Sequence, residues 1–104
     1  MREHRTELLD RLERLLSREY TVPEFRRRYY DFYLEVPEEA LTDSEHMFFG
    51  FVQEMLDWTA EAPSSEDRQY GWVDHEEFIA WVAREREFWL RLGENYDQMS
   101  SCRN

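Results

Sequence analysis

Residues 42–60 read TDSEHMFFGFVQEMLDWTA, and this stretch decides the fold. Thr42 with Glu45 three residues later is a pattern in which each side chain takes the other's free backbone N–H, so a helix starts here. From Thr42 to about Ala60, the residues Phe48, Phe49, Phe51, Val52, Met55, Leu56 and Trp58 cover about half of the helical circumference. A helix that apolar is expected at the centre of the core. Its remaining strip holds Gly50, Gln53, Glu54, Asp57 and Glu61. Glu54, Asp57 and Glu61 are spaced by three and four, which predicts one exposed row of carboxylates.

Working outward, Pro37 ends the preceding segment, because the residue before a proline is pushed out of helical geometry. That segment opens at Thr21-Val22-Pro23-Glu24, read as an N-cap, a first-turn proline and a capping box. Val22, Phe25, Tyr29, Phe32, Tyr33 and Val36 fall on its inner face, with Tyr30 and Leu34 opposite. Arg26, Arg27 and Arg28 are expected to be solvated or paired with acids of the same chain. Residues 3–19 form a first amphipathic helix on Leu8, Leu9, Leu12, Leu15 and Leu16. On the other side, residues 62–73 read as a surface loop whose aromatic second half packs on the body. Asp74 with Glu77 opens a fourth helix, which Gly93 is expected to stop. Phe78, Trp81, Val82, Phe88, Trp89 and Leu92 are expected to face inward. Glu85 falls among them, which predicts either an arginine partner or a position at an exposed end of the groove.

The expectation is an all-α, antiparallel (up-and-down) four-helix bundle: one domain over residues 1–93, with a flexible polar tail over 94–104. The apolar share of 41% and aromatic share of 16% separate the chain from disordered acidic tails. Charge is its most lopsided property. The chain has 24 acidic and 13 basic residues, a net −11, and every base is arginine. Residues 35–83 hold thirteen of the acids against Arg68 alone, a net −12. Such a field is suited to a basic partner and disfavours direct binding of DNA or RNA.

No chemistry-bearing constellation stands out. His4, His46 and His75 lie apart, without the pairing of a metal site. Read from Glu66, a calcium loop would place Arg68 and Tyr70 where oxygen ligands belong. Gly-x-Ser-x-Gly and phosphate-cradling glycine loops are missing, and Cys102 has no histidine near it in sequence. Neither a cofactor, a metal nor an enzymatic activity is expected. The mixed charges of the N-terminus and the lone Cys102 predict no membrane span and a cytoplasmic setting.

The run Thr21-Val22-Pro23-Glu24-Phe25, the acidic break, the aromatic helix ending Leu56-Asp57-Trp58, and Asp74-His75-Glu76-Glu77-Phe78 together resemble the bacterial self-protective colicin-like immunity proteins, the colicin D group. The resemblance covers residues 20–92. It implies a four-helix bundle that fills the basic active site of a tRNA-cleaving toxin with carboxylates in place of phosphates. By position it points to Glu54, Asp57, Glu61, Glu66 and Asp67. Asp74 and Glu76 are added as further acids of the same patch, and Tyr70 and Trp72 as aromatic anchors. The partner is then a cognate nuclease toxin domain, with self-association left open between monomer and weak dimer. The alternative is an acidic helical adaptor or regulatory module that binds a basic partner protein.

Overall fold

Of the three capping pairs legible in the sequence, two are made in full in the structure. A computed structural model describes residues 4–101, with side chains for residues 4–91. In order, the helices are α1 (His4–Leu16), α2 (Val22–Glu35), α3 (Asp43–Asp57), a five-residue α4 (Ser65–Gln69) and α5 (His75–Ser101), with a 3-10 turn at Glu38–Ala40. The described residues are all-helical apart from connections and contain no strand, only a parallel bridge between Thr59 and Val73.

At α3 the Glu45 N–H donates to Thr42 Oγ1 at 3.2 Å, and the Thr42 N–H donates to the Glu45 carboxylate at 2.8 Å. Asp74 and Glu77 form the same reciprocal pair at α5, at 2.8 and 3.1 Å. The box expected at α2 is only half made. Thr21 accepts from the Glu24 N–H at 3.3 Å, while the Glu24 carboxylate turns outward to Arg27 and Arg28. A fourth start lies inside the expected loop, where Ser64 and Asp67 cap α4 reciprocally, both at 3.0 Å.

The core draws on every long helix. Leu8, Leu12 and Leu15 come from α1, Val22, Phe25 and Tyr29 from α2, Phe48, Phe49, Val52 and Leu56 from α3, and Phe78, Val82 and Trp89 from α5, joined by Leu41. Phe48 stacks on Trp89 with ring centroids 4.7 Å apart. The Tyr29 hydroxyl donates to the Phe49 carbonyl at 2.8 Å. Burial pushes that phenol's pKa well above its ordinary value. The buried Glu45 carboxylate, besides capping α3, meets Arg5 at 2.9 Å.

The apolar stripes are narrower than periodicity predicted. Phe51 is 51% exposed, Trp58 41% and Phe88 62%. These residues sit at the margins of their stripes, and a helix buries only the sector that a neighbour covers. Helix α3 stops at Asp57 rather than Ala60, and the Thr59 hydroxyl turns back to the Met55 carbonyl at 2.7 Å. Gly93 does not stop α5, whose backbone stays helical to Ser101, so the expected tail is helical that far. Glycine inside a helix costs only ~1 kcal/mol relative to alanine, and no proline follows it here. The Leu92 side chain and Cys102 lie outside the described residues.

Glu85 is half-buried, and among the described residues it has no side-chain partner. Of the two expectations for Glu85, the arginine partner is not found among the described residues: nearby Arg86 pairs with Glu13 instead. Part of Glu85 reaches solvent, so water can solvate the charge without a partner.

Arg26 has a role that composition did not reveal. Its guanidinium donates to the Leu56 carbonyl at 3.1 Å and to the Thr59 carbonyl at 2.7 Å, closing the end of α3 from α2. Replacing it by methionine keeps the apolar stem and removes two charge-assisted hydrogen bonds. Arg26→Met is expected to destabilise by about 1–3 kcal/mol and to speed amide exchange at Ala60 and Val73. Unchanged exchange there would show that the arginine does not hold this loop.

Candidate binding surface

The segment after α3 is pinned before it diverges. The Val73 N–H donates to the Trp58 carbonyl and the Ala60 N–H to the Val73 carbonyl, both at 3.0 Å. Between these bonds the chain turns through α4 and Gly71, whose φ of +101° lies where a side chain would be strained. Trp72 packs edge-on against Trp58 at 5.3 Å. The closure holds Tyr70, 71% exposed, over the flank of α3. The result is an open groove of about 360 Å³ lined by Phe51, Glu54, Met55, Trp58, Tyr70, Gly71 and Trp81.

The nine residues singled out from the sequence divide into two groups. Glu54 and Tyr70 line the groove, and Trp72 supports its Trp58 wall. Glu54, Glu61 and Glu66 are exposed, and among the described residues they have no side-chain partner. Asp57 is exposed and accepts from the Gln53 amide at 3.2 Å. The straight row of Glu54, Asp57 and Glu61 is broken, because Glu61 lies beyond the end of α3.

The other three acids work inside the fold. Asp67 caps α4. Asp74 caps α5 and pairs with Arg68 at 3.2 Å; the Glu77 backbone N–H, then Arg68, hold its carboxyl below the ordinary value. Glu76 takes both arms of Arg18, at 2.7 and 2.8 Å, and that hydrogen-bonded pairing lowers its pKa as well. Arg18 adopts a left-handed backbone, with φ at +70°, in the turn that follows α1.

These shifts set a direction for acid stability. Both carboxyls have folded pKa values below their unfolded ones, near 3.8 for Asp and 4.5 for Glu. The stability they contribute is therefore full above those values and is lost as pH falls through the folded pKa. Protonating the other acids relieves repulsion at the same time, so the informative quantity is a difference between proteins. Relative to the native chain, an Asp74→Asn, Glu76→Gln variant is expected to be less stable at pH 7 and to lose its deficit below about pH 4. Urea unfolding followed by tryptophan fluorescence across pH 2–7 reads this. A deficit that persists at pH 2 would mean that the substitutions act through packing instead of charge.

The sequence pattern assigned Phe51, Met55 and Trp81 to the core, which is why it missed them as groove residues. The signal available was their position at the stripe margins. Among the described residues, no group of three His, Cys, Asp or Glu side chains is placed to hold a metal ion, and no helix is long and apolar enough to cross a membrane. No family model, curated protein or solved structure matches this chain.

Proposed function

We propose that this chain is a stoichiometric binder of a basic protein, acting as an immunity protein that occludes the active-site cleft of a cognate nuclease toxin. Its four long helices would act as an antiparallel four-helix bundle that presents the segment from Trp58 to Val73. The observation that carries the reading is one surface combining partnerless carboxylates with aromatic rings held out of the core. Among the described residues Glu54, Glu61 and Glu66 have no side-chain partner, and Phe51, Trp58 and Tyr70 stay exposed, lining one groove with Glu54. Carboxylates aimed at a cationic cleft accelerate encounter, and aromatic anchors slow release. The same carboxylates would stand where nucleic-acid phosphates bind, so occupancy excludes substrate without turnover or cofactor.

The test is a pulldown from the protein's own cells at low and high salt, followed by a cleavage assay on any nuclease domain recovered. Inhibition reaching completion at one equivalent, and lost when Asp57 and Glu61 become lysine, is the expected result. A nuclease that remains active when saturated with this protein would refute the reading. An adaptor that docks a basic helix is favoured by a different observation, the exposure of Tyr30 and Leu34 on α2. Recovery of a non-nuclease partner, released by Tyr30→Ala and Leu34→Ala, would support it.

A further inference from the structure

Several arginines of this chain lie over aromatic rings. Arg5 sits 5.4 Å from the Trp89 ring centroid, Arg11 4.2 Å from Phe32, and Arg14 and Arg28 at 5.8 and 5.2 Å from Tyr20. The attraction is between a cation and the negative face of the ring. The groove beside the end of α3 offers the same ring types: Phe51, Trp58, Tyr70 and Trp81, with Glu54 among them. Among the described residues, no cation of the chain lies over these four rings, and Glu54 has no side-chain partner.

The groove's size and charge narrow the occupant. About 360 Å³ is at the low end for a ligand site, room for a side chain rather than a helix. Aromatic walls with one carboxylate suit a group that is flat, cationic and a forked donor. Guanidinium is all three, and an ammonium ion is only the second. The net −12 over residues 35–83 raises the local concentration of cations at the mouth.

We propose that this groove is a socket for one arginine side chain of a basic partner protein. Its guanidinium lies against the rings of Trp58 and Trp81, and the Glu54 carboxylate accepts from its fork. The proposal rests on the reading of the chain as a binder of a basic protein and locates that binder's anchoring contact.

The test uses the full chain labelled with ¹⁵N and follows the indole N–H signals of its four tryptophans. The probes are blocked single-residue amides of arginine, lysine and norleucine. Arginine amide is expected to shift Trp58 and Trp81 saturably and leave the buried Trp89 unmoved. Lysine amide binds more weakly, and norleucine amide does not shift them. Glu54→Gln weakens the arginine probe on the order of tenfold, while Glu39→Gln, an exposed acid of the same run outside the groove, leaves it unchanged. Equal shifts from norleucine amide, or an arginine response indifferent to Glu54→Gln, overturns the socket. If a basic nuclease domain still binds Glu54→Gln normally and loses Glu61→Lys, Glu66→Lys, the socket fails and the broader function stands. An arginine response in Trp58 and Trp81, with no inhibition of any bound nuclease, fails the broader function alone.

Discussion

Phe49→Ala is expected to destabilise the chain by about 3–5 kcal/mol, the cost of deleting a fully buried ring and leaving a cavity. For a domain near 100 residues each kcal/mol moves the melting temperature by about 4–8 °C, so the variant should sit near its unfolding threshold at 37 °C. Phe49 is fully buried, 5.1 Å from the Phe48 ring and 5.8 Å from Trp89, and its carbonyl receives the Tyr29 hydroxyl. It therefore touches contributions from α2, α3 and α5 at once, and little can collapse into the space. Phe51→Ala is the matched control on the same helix two residues on. That ring is 51% exposed, and its loss should cost about 0.5 kcal/mol or less. Urea unfolding of the two variants side by side checks this. Equal losses would mean that Phe51 is as buried as Phe49 in solution and would remove the groove with it.

Converting Glu54, Glu61 and Glu66 together to lysine should slow association with a basic partner by about 10- to 1,000-fold at low salt, while folding is preserved. Each reversal adds two charges, so three take the chain from −11 to −5. None of the three carboxylates has a side-chain partner among the described residues, so no ion pair or cap is lost. Reduced self-repulsion should, if anything, favour the compact state. Asp74→Lys and Glu76→Lys give the opposite pattern. They break the α5 cap and the Arg18 pair, and so weaken stability along with binding. Stopped-flow association at several ionic strengths separates the two sets. A triple variant that associates as fast as the native chain, with the same salt dependence, would show that these acids do not steer.

Local chemistry was the legible part of this protein. The caps at Thr42 and Asp74, the break at Pro37 and the leucine stripe of α1 each depend on residues within about a turn of one another. They could be read directly, and the all-helical class follows from them. Part of the candidate surface was legible for the same reason, since charge density along residues 35–83 needs no tertiary information. The short helix α4 was missed although its Ser64–Asp67 cap is equally local, because Pro63-Ser64-Ser65 reads first as a turn.

Tertiary structure decided which residues at the margins of a stripe are covered, and which acids are spent on the fold. Periodicity places Phe49 and Phe51 in one apolar stripe, but only the approach of α2 and α5 makes one buried and leaves the other exposed. Asp74 and Glu66 carry the same charge and lie in the same acidic run. Arg68 and the α5 backbone claim the first, and nothing in the described structure claims the second. Arg26 reaches the end of α3 from thirty residues away, and Arg18 reaches Glu76 across fifty-eight. Sequence alone determined where helices begin and how charge is distributed, because those depend on neighbours along the chain. The groove that sets Glu54 among aromatic rings depends on neighbours in space, and it exists only once the helices have packed.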